Sequence, residues 1–262
     1  MEILRSPAVV LRKVPYGEAD VIATLLVRER GKLSALARSA RRSRRRFAGA
    51  LELFTVSTVE LRPHRGELWT LSSADVVESF AELARDMGCL AHASYGTELV
   101  RELSAAEQPE EELFDLLLDL YRALARRGAR VDVLRAFELA ALDLAGVAPV
   151  LDACAACGRT DSFSLDRGAV LDASRGGAIC SGCAPASRGA GVRPLPAGAR
   201  ALLVAAQRAA RSGAGLAAVE LPSGDDAADA RDAALTLVGH HIGKPLRTLE
   251  FMGKMRTDPR VA

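Results

Sequence analysis

Four cysteines in two pairs constrain the fold of this 262-residue chain more than any other feature. Cys154 and Cys157 form one C-x-x-C pair, and Cys180 and Cys183 form a second pair after 22 intervening residues. Each pair bends so that two thiolates point at one ion, and two pairs make the closed tetrahedral site of zinc ribbons. Because the segment 151–190 holds few large apolar side chains, metal binding must supply much of its folding free energy. The sequence therefore predicts a structural zinc site.

Two other uses of the same cysteines stay open at this stage. A redox-active dithiol needs only one C-x-x-C pair, whereas this chain has two. An iron–sulfur cluster takes the same four thiolate ligands as zinc. In a four-thiolate zinc site, no coordination position is left for water, and hydrolytic chemistry is therefore not expected there.

A run of arginines gives the N-terminal third of the chain a different character. Residues 1–80 contain 14 Lys/Arg and 9 Asp/Glu, whereas residues 81–262 contain 21 and 24. Residues 38–46 hold six arginines in nine positions, which repel each other unless a counter-charge is present. Phosphates supply that charge, and guanidinium groups also stack on bases. A nucleic acid is the predicted ligand, and a solvated or acid-paired loop is the alternative.

The charge pattern and the nearby aromatic residues define the candidate contacts to DNA. The predicted DNA-binding residues are Lys32, Arg38, Arg41, Arg42, Arg44, Arg45 and Arg46, with Arg12 and Lys13 as weaker candidates. Base stacking is available to aromatic rings, and the candidates are Tyr16, Phe47 and Trp69. Phe47 directly follows the arginines, and a place in the core is an equal alternative for it.

Hydrophobic periodicity divides the chain into regions of different structure. Residues 3–80 show five short apolar runs separated by turn signals, which is typical of a small β-barrel. After Ser79 the period becomes helical, with helices predicted over 82–104, from 109, and over 131–145, 196–211 and 226–242. The sequence thus predicts an α+β chain with these parts: a barrel, 1–80; a helical domain, 81–150 and 193–255; a zinc-binding insert, 151–192; and a frayed tail, 256–262.

The sequence lacks the motifs that are typical of several classes of protein. No apolar run approaches the roughly 20 residues that span a bilayer, and the N-terminus lacks a signal-peptide core, so a cytoplasmic protein is expected. Motifs of nucleotide-binding loops, α/β-hydrolases and zinc proteases do not occur. The four histidines are not spaced with carboxylates as a ligand set. A protein without enzymatic activity is therefore predicted.

Several segments, taken in order, are similar to one known family. They read AVVLRKVPYGEADVIATLLVRERGKLSALARSARRSRRRFAGALELF, GELWTLSSADVVESF, LRAFELAALDLAGVAPVLDACAACG, GGAICSGC and HHIGKPLRTLEF. Together they cover nearly the whole chain. In these segments the chain resembles the bacterial recombination-repair mediator family RecO.

The resemblance implies an OB-fold barrel, a helical domain and a zinc-binding insert. It also implies binding of single- and double-stranded DNA, annealing of complementary strands, and a nucleoid-associated place in the RecFOR pathway. The implied partners are RecR, the single-stranded-DNA-binding protein and, indirectly, RecA. One departure is that many members carry Lys-Gly where this chain has Arg38-Ser39, which keeps the charge but loses the backbone freedom of glycine.

A second predicted site concerns a protein partner. The acidic, Phe-ending tail of the single-stranded-DNA-binding protein requires a cation beside an apolar pocket, and the candidates are Phe114, Arg122, Leu134 and Arg135. Ordinary helix-surface arginines are the alternative. Two rival functions are a zinc-ribbon regulatory protein without annealing activity and a zinc-containing nuclease or deaminase. The second rival needs a metal-bound water, which four thiolates do not leave room for.

Overall fold

A computed structural model describes residues 3–43, 45–63, 68–160, 167–222 and 224–257. The chain forms two compact units, Met1–Gly128 and Ala129–Ala262. The first unit holds the predicted barrel and two helices. The second holds the four cysteines and the remaining helices. An N-terminal barrel followed by a largely helical region confirms the predicted α+β class.

Five strands form a closed barrel in the first unit. β1 (Leu4–Tyr16), β2 (Asp20–Val27) and β3 (Gly31–Ala37) form an antiparallel meander. β4 (Thr55–Arg62) pairs with β1 and with β5 (Leu68–Ser79), and a parallel pairing of β3 with β5 closes the barrel. The strand order β1-β2-β3-β5-β4 is OB-like, as expected.

Alternating side chains of these strands fill the barrel. On β2 and β3 the inward positions are apolar, and they include Leu25, Val27 and Leu33. Phe47, whose exposed fraction is 4%, comes from the loop between β3 and β4 and packs into the same core. The two uses that the sequence leaves open for Phe47 are therefore resolved in favour of the core, because a ring buried there offers no face to a nucleic acid.

Two helices complete the first unit. A short 3-10 segment, Ala81–Arg85, leads into α1 (Met87–Leu103), and α2 (Glu111–Arg127) follows. The buried ring of Tyr121 on α2 has its centroid 5.5 Å from those of Phe54 and Phe80, which flank β4 and β5. Such aromatic contacts stabilise packing beyond the area they bury. The helix pair and the barrel consequently share one core.

The second unit combines four helices with a small sheet. Its helices are α3 (Val131–Leu144), α4 (Ala197–Arg211), α5 (Asp226–Ile242) and α6 (Arg247–Thr257). Its antiparallel strands are β6 (Ala169–Asp172), β7 (Gly177–Ile179) and β8 (Val192–Leu195), in the order β7-β6-β8. Arg200 of α4 is buried and donates to the carbonyl of Leu151 at 2.7 Å, which ties α4 to the start of the cysteine segment.

Helix α6 extends into the segment predicted as a frayed tail. α6 runs through residues 256 and 257, the first two of the predicted frayed tail, and residues 258–262 lie outside the described part of the chain. Among the described residues, no helix combines the length and the apolar character needed to cross a bilayer.

Candidate nucleic-acid interface and metal centre

The strand register separates two ends of the barrel. Val21 pairs with Ala37, so the β1–β2 turn lies beside the point where β3 ends and the arginine run begins. The β2–β3 turn lies at the opposite end, about 20 Å away along β3. We name residues 16–20 and 38–46 the arginine end, and residues 28–32 the helix end because α1 and α2 pack there.

Hydrogen bonds pin the arginine loop to the β1–β2 turn. The Ser39 amide donates to Asp20 Oδ1 at 2.7 Å, and the Arg41 amide donates to the Ala19 carbonyl at 3.0 Å. The Arg41 guanidinium reaches the Glu18 carbonyl at 3.1 Å. Ser39 has φ +55°, the left-handed region in which glycine is favoured. The glycine that the family resemblance implies at this position would suit this backbone conformation.

The second half of the loop is anchored by its own residues. The Arg46 guanidinium donates to the Arg38 carbonyl at 2.9 Å, and it lies over the Phe47 ring at 5.1 Å from the centroid. The Arg46 amide donates to Ser43 Oγ at 3.2 Å, and the Arg46 carbonyl accepts from the Ala74 amide at 3.0 Å. These contacts fix the backbone at Arg46 and orient its guanidinium group.

Little negative charge offsets these arginines. The exposed members of the cluster are Arg38, Arg41, Arg42, Arg45 and Arg46, and Arg44 lies outside the described residues. Arg42 approaches Glu18 at 3.7 Å, but the two side chains are 73% and 93% exposed, so this ion pair is weak. The bonds of Arg41 and Arg46 to carbonyls orient their guanidinium groups without neutralising them. Guanidinium groups that keep their charge are what a phosphate ligand requires, and DNA contact by this cluster stays a prediction.

Basic residues at the helix end are paired instead. Arg28 contacts Asp115 at 2.7 Å and Glu111 at 3.4 Å, and Arg30 lies 3.9 Å from Glu107. Lys32 is half-buried and donates to the Arg101 carbonyl at 2.7 Å. The structure thus places Lys32 at the far end of β3 from the described arginines with which the sequence groups it.

The remaining sequence candidates for DNA contact have different surroundings. Tyr16 is 55% exposed at the arginine end. Trp69 is partly buried, and its indole N–H donates to Glu107 Oε1 at 3.2 Å at the helix end. Lys13 pairs with Glu52, while Arg12 is exposed on β1. Of the three aromatic candidates, only Tyr16 presents a largely open ring near the arginines.

The four cysteines predicted to bind metal come together in the second unit. The sulfurs of Cys154, Cys157, Cys180 and Cys183 all lie within 4.8 Å of one another. Four thiolates bound tetrahedrally at about 2.3 Å from a zinc ion are about 3.8 Å apart, and the Cys157–Cys180 distance is 3.9 Å. Gly158, with φ +70°, provides the left-handed turn after the first pair. The donor set and its spacing therefore fit a thiophilic metal ion.

The crowding of the sulfurs separates their pKa values. Burial alone raises the pKa of Cys154, but hydrogen bonds from the backbone amides of Cys180, Cys157 and Ala156 outweigh it and lower the pKa to about 6. Neighbouring Cys180 and Cys157 raise the pKa of Cys183 to about 12. A divalent cation at the centre of such a cluster favours the thiolate form of every ligand. The amides around Cys154 already favour one thiolate.

The residues predicted to bind the acidic tail occupy buried or paired positions. On α2, Phe114 is buried and Arg122 pairs with Glu78 at 2.6 Å, a hydrogen bond that raises the pKa of the guanidinium. On α3, Leu134 is buried, and Arg135 lies 2.6 Å from Glu138 and donates to the Arg231 carbonyl. A partner site at these four residues stays a prediction.

Comparison with known proteins identifies the family. A model described as the N-terminal part of recombination protein O matches residues 1–80, and one described as its C-terminal part matches residues 84–250. The chain belongs to the recombination protein O family. This result confirms the resemblance seen in the sequence. The two matches include the arginine end and the four cysteines.

Several relatives match over nearly their full length. The DNA repair protein RecO of Anaeromyxobacter dehalogenans strain 2CP-C is 44% identical over 259 residues, which cover 97% of this chain and 98% of the relative. That of Myxococcus xanthus is 37% identical over 258 residues, covering 98% and 100%. That of Geobacter sulfurreducens is 36% identical over 255 residues, covering 97% and 99%.

Sequence reasoning missed the acidic residues that shape both ends. Glu18 and Asp20 fix the arginine loop, although they are separated from it by two strands. Asp115 pairs with Arg28 across 87 positions of sequence, a distance at which no local pattern applies. The sequence signal for Asp20 is its place at the start of a strand, β2, that pairs with β3.

Proposed function

We propose that this protein is a DNA-binding recombination mediator that acts in DNA repair without enzymatic activity. It binds single- and double-stranded DNA, anneals complementary strands, and acts with RecR to help load RecA onto DNA coated by the single-stranded-DNA-binding protein. The observation that carries the proposal is the group of exposed arginines at the arginine end, for which the described residues offer one weak ion pair, that of Arg42 with Glu18. Family membership supports the recombination role.

The arginine end supplies what annealing physically requires. Two single strands repel each other through their phosphates, and a cationic surface that binds both strands screens that repulsion. Guanidinium groups held by backbone carbonyls bind phosphate oxygens and leave the base edges of most nucleotides free to pair. No nucleotide hydrolysis is needed, because base pairing itself drives the reaction.

Charge removal at the arginine end tests the proposal. Replacing Arg41, Arg42, Arg44 and Arg45 by alanine should weaken DNA binding and reduce the salt slope by roughly 0.7 per lost contact on single strands. The matched control replaces the same four residues by lysine, which should keep most of the slope. Fluorescence anisotropy over a salt series and an annealing assay on two complementary oligonucleotides give the readouts. Unchanged affinity and slope in the alanine variant would exclude this surface.

The second candidate function is a zinc-ribbon DNA-binding regulatory protein without annealing activity. The four-cysteine cluster favours it, since such clusters occur in transcription regulators as well as in repair proteins. Competition with unrelated DNA separates the two functions. A mediator should bind all sequences alike and respond strongly to salt, whereas a regulator should keep a strong preference for one sequence.

For the cysteine cluster we propose a structural zinc ion. Bound zinc supplies folding free energy to a segment with few apolar side chains, on the order of 10 kcal/mol at neutral pH. The purified protein should contain one zinc per chain, and Cys180→Ser should abolish zinc content and lower the melting temperature. Cys89→Ala, a buried cysteine outside the cluster, is the control and should keep the zinc. A folded, zinc-free variant that loses only DNA binding would assign the segment to the DNA surface.

The partner site for the acidic tail is proposed on Phe114, Arg122, Leu134 and Arg135. It is supported by residue type: α2 and α3 each carry an arginine and an apolar side chain, which are the residue types such a tail requires. Arg135→Ala should lower affinity for the tail peptide by isothermal calorimetry. If the wild type and the folded variant bind the peptide with equal affinity, the tail does not bind at Arg135.

A further inference from the structure

The four cysteines belong to two short segments that pair with each other through their backbones. Val150 lies in the stretch that leads to Cys154, and its carbonyl accepts from the Ala178 amide at 2.8 Å. Ala178 lies on β7, which leads directly into Cys180. The Ala155 amide donates to the Ala178 carbonyl at 2.8 Å, and the Cys180 amide donates to Cys154 Sγ at 3.3 Å. These backbone contacts bring the two cysteine pairs together.

The pairing leaves no room for a side chain where the two segments meet. Gly177 begins β7 and forms a parallel bridge with Val150. A Cβ at this glycine would lie 2.1 Å from the Val150 carbonyl oxygen. We name residues 149–151 the approach segment. Because its contact with β7 is so close, the position of the approach segment determines where the first cysteine pair stands relative to the second.

Two buried side chains of α4 hold the approach segment. Arg200 is 1% exposed, and its Nε donates to the Leu151 carbonyl at 2.7 Å. Gln207 is 8% exposed, and its Nε2 donates to the Pro149 carbonyl at 3.0 Å. The two residues are seven positions apart, which is about two helical turns, so they lie on one face of α4. A helix thus sets the course of the backbone that carries the first cysteine pair.

We propose that Arg200 and Gln207 are positioning residues for the metal centre. The inference rests on the proposed zinc ion and adds the part of the helical unit that places its ligands in advance. An approach segment that is fixed before the metal arrives loses little conformational entropy on binding, which favours high affinity. A loose approach segment would have to be ordered by the metal itself, at the expense of affinity.

The residue types fit positioning better than the filling of space alone. A buried guanidinium group must find acceptors, because its charge and its five N–H groups have lost water. Its planar fork fixes the direction of the carbonyl that accepts from it, which an apolar side chain of equal volume would not do. The amide of Gln207 constrains the Pro149 carbonyl in the same way. Both side chains therefore specify the path of the approach segment.

Zinc affinity tests the inference. Arg200→Met and Gln207→Met remove the donors and keep an unbranched side chain. Each should weaken zinc binding by roughly 10–100-fold, as is typical of residues that orient metal ligands, and Arg200→Lys should recover part of the loss because it keeps one donor. Competition with a chelator of known affinity measures the zinc dissociation constant, at a temperature where circular dichroism shows the variant folded. The visible spectrum with Co²⁺ in place of zinc reports whether four thiolates still bind tetrahedrally.

Two control variants separate positioning from general destabilisation. Val133→Ala removes buried volume from α3, and it should lower the melting temperature without changing zinc affinity. Arg208→Met replaces the exposed neighbour of Gln207 and should change neither property. If Arg200→Met does not fold, Gln207→Met decides the outcome, since it removes a single hydrogen bond.

The possible failures are distinguishable. Unchanged zinc affinity in the folded α4 variants, or an equal loss of affinity in Val133→Ala, would overturn the positioning role and leave the metal centre standing. A wild-type protein that binds no zinc would overturn the proposed metal centre, and the positioning role with it.

Discussion

Both ends of the barrel are rich in basic residues, but the groups that these residues contact differ between the two ends. At the helix end, Arg28 and Arg30 form ion pairs with acids that arrive more than 70 residues later in the chain. At the arginine end, guanidinium groups bind backbone carbonyls and keep their charge for a ligand. A count of basic residues therefore does not measure the charge available to a ligand, because Arg28 and Arg30 are paired, whereas the Arg42–Glu18 pair at the arginine end is exposed and weak.

The difference has a physical origin in the segment that follows the barrel. Glu111 lies in the first turn of α2, where an acid stabilises the helix dipole, and the same carboxylate contacts Arg28. The helix start thus serves two purposes at once. At the arginine end, the nearby acid Asp20 accepts a backbone amide, which leaves the arginine side chains uncompensated.

The largest effect is expected from a glycine pair that contrasts the two ends. Gly31 at the helix end has φ +73°, and a Cβ there would collide with the carbonyl of Gln108. Gly31→Ala should therefore lower the free energy of unfolding by roughly 2–5 kcal/mol, from backbone strain and overpacking together. Gly17 at the arginine end has φ +55° and open space around it, so Gly17→Ala should cost only about 1–2 kcal/mol. Urea unfolding monitored by circular dichroism measures both, and equal losses would contradict the tight packing at Gly31.

Intermediate effects are expected from replacing Arg28 and Arg41, the first on stability and the second on DNA binding. Arg28→Ala should lower the free energy of unfolding by about 0.5–1 kcal/mol, since its ion pairs are partly exposed, and it should not change DNA affinity. Arg41→Ala should leave stability nearly unchanged and reduce the salt slope of DNA binding by about 0.7 to 1. Anisotropy titrations at several salt concentrations, paired with thermal unfolding, separate the two outcomes. Loss of DNA affinity in Arg28→Ala would mean that the helix end also binds DNA.

The smallest effect is expected at Ser39, where the family often has glycine. A non-glycine residue at φ +55° carries strain of about 1–2 kcal/mol, while glycine makes the unfolded chain more flexible and offsets part of the gain. Ser39→Gly should therefore raise the free energy of unfolding by less than about 1 kcal/mol and keep the DNA affinity. A clear loss of stability would show that the serine side chain, and not only the backbone, holds the loop.

Short-range patterns in the sequence predicted the chemistry of both candidate sites. The spacing of Cys154 and Cys157, repeated at Cys180 and Cys183, identified the cluster because two residues between ligands fix the local turn. The arginine run was visible because charge density does not depend on fold. The five-strand barrel and five of the helices, α1 to α5, followed from hydrophobic periodicity, while the small sheet β6–β8 and helix α6 did not.

Long-range pairing accounts for what the sequence could not show. Lys32 was grouped with the arginine loop because the two are close in sequence. Lys32 lies near the start of β3 and the loop follows the end of β3, so the extended strand separates them. The acids that occupy Arg28 and Arg30 are distant in sequence, so their effect depends on tertiary packing. Val14, Ile22 and Leu36 are a further example, since these residues become neighbours only through strand register.

The close contact at Gly31 also determines at which residue this chain can be joined to a relative in a chimera. The two family models divide between residues 80 and 84, whereas the compact units divide after Gly128. A chimera joined at residue 80 would set a foreign loop against Gly31, which tolerates no new atom near Gln108. A chimera joined at residue 128 would carry both partners of that contact together. Chimeras between relatives should therefore be joined at Gly128, even though the family models alone point to a junction near residue 80.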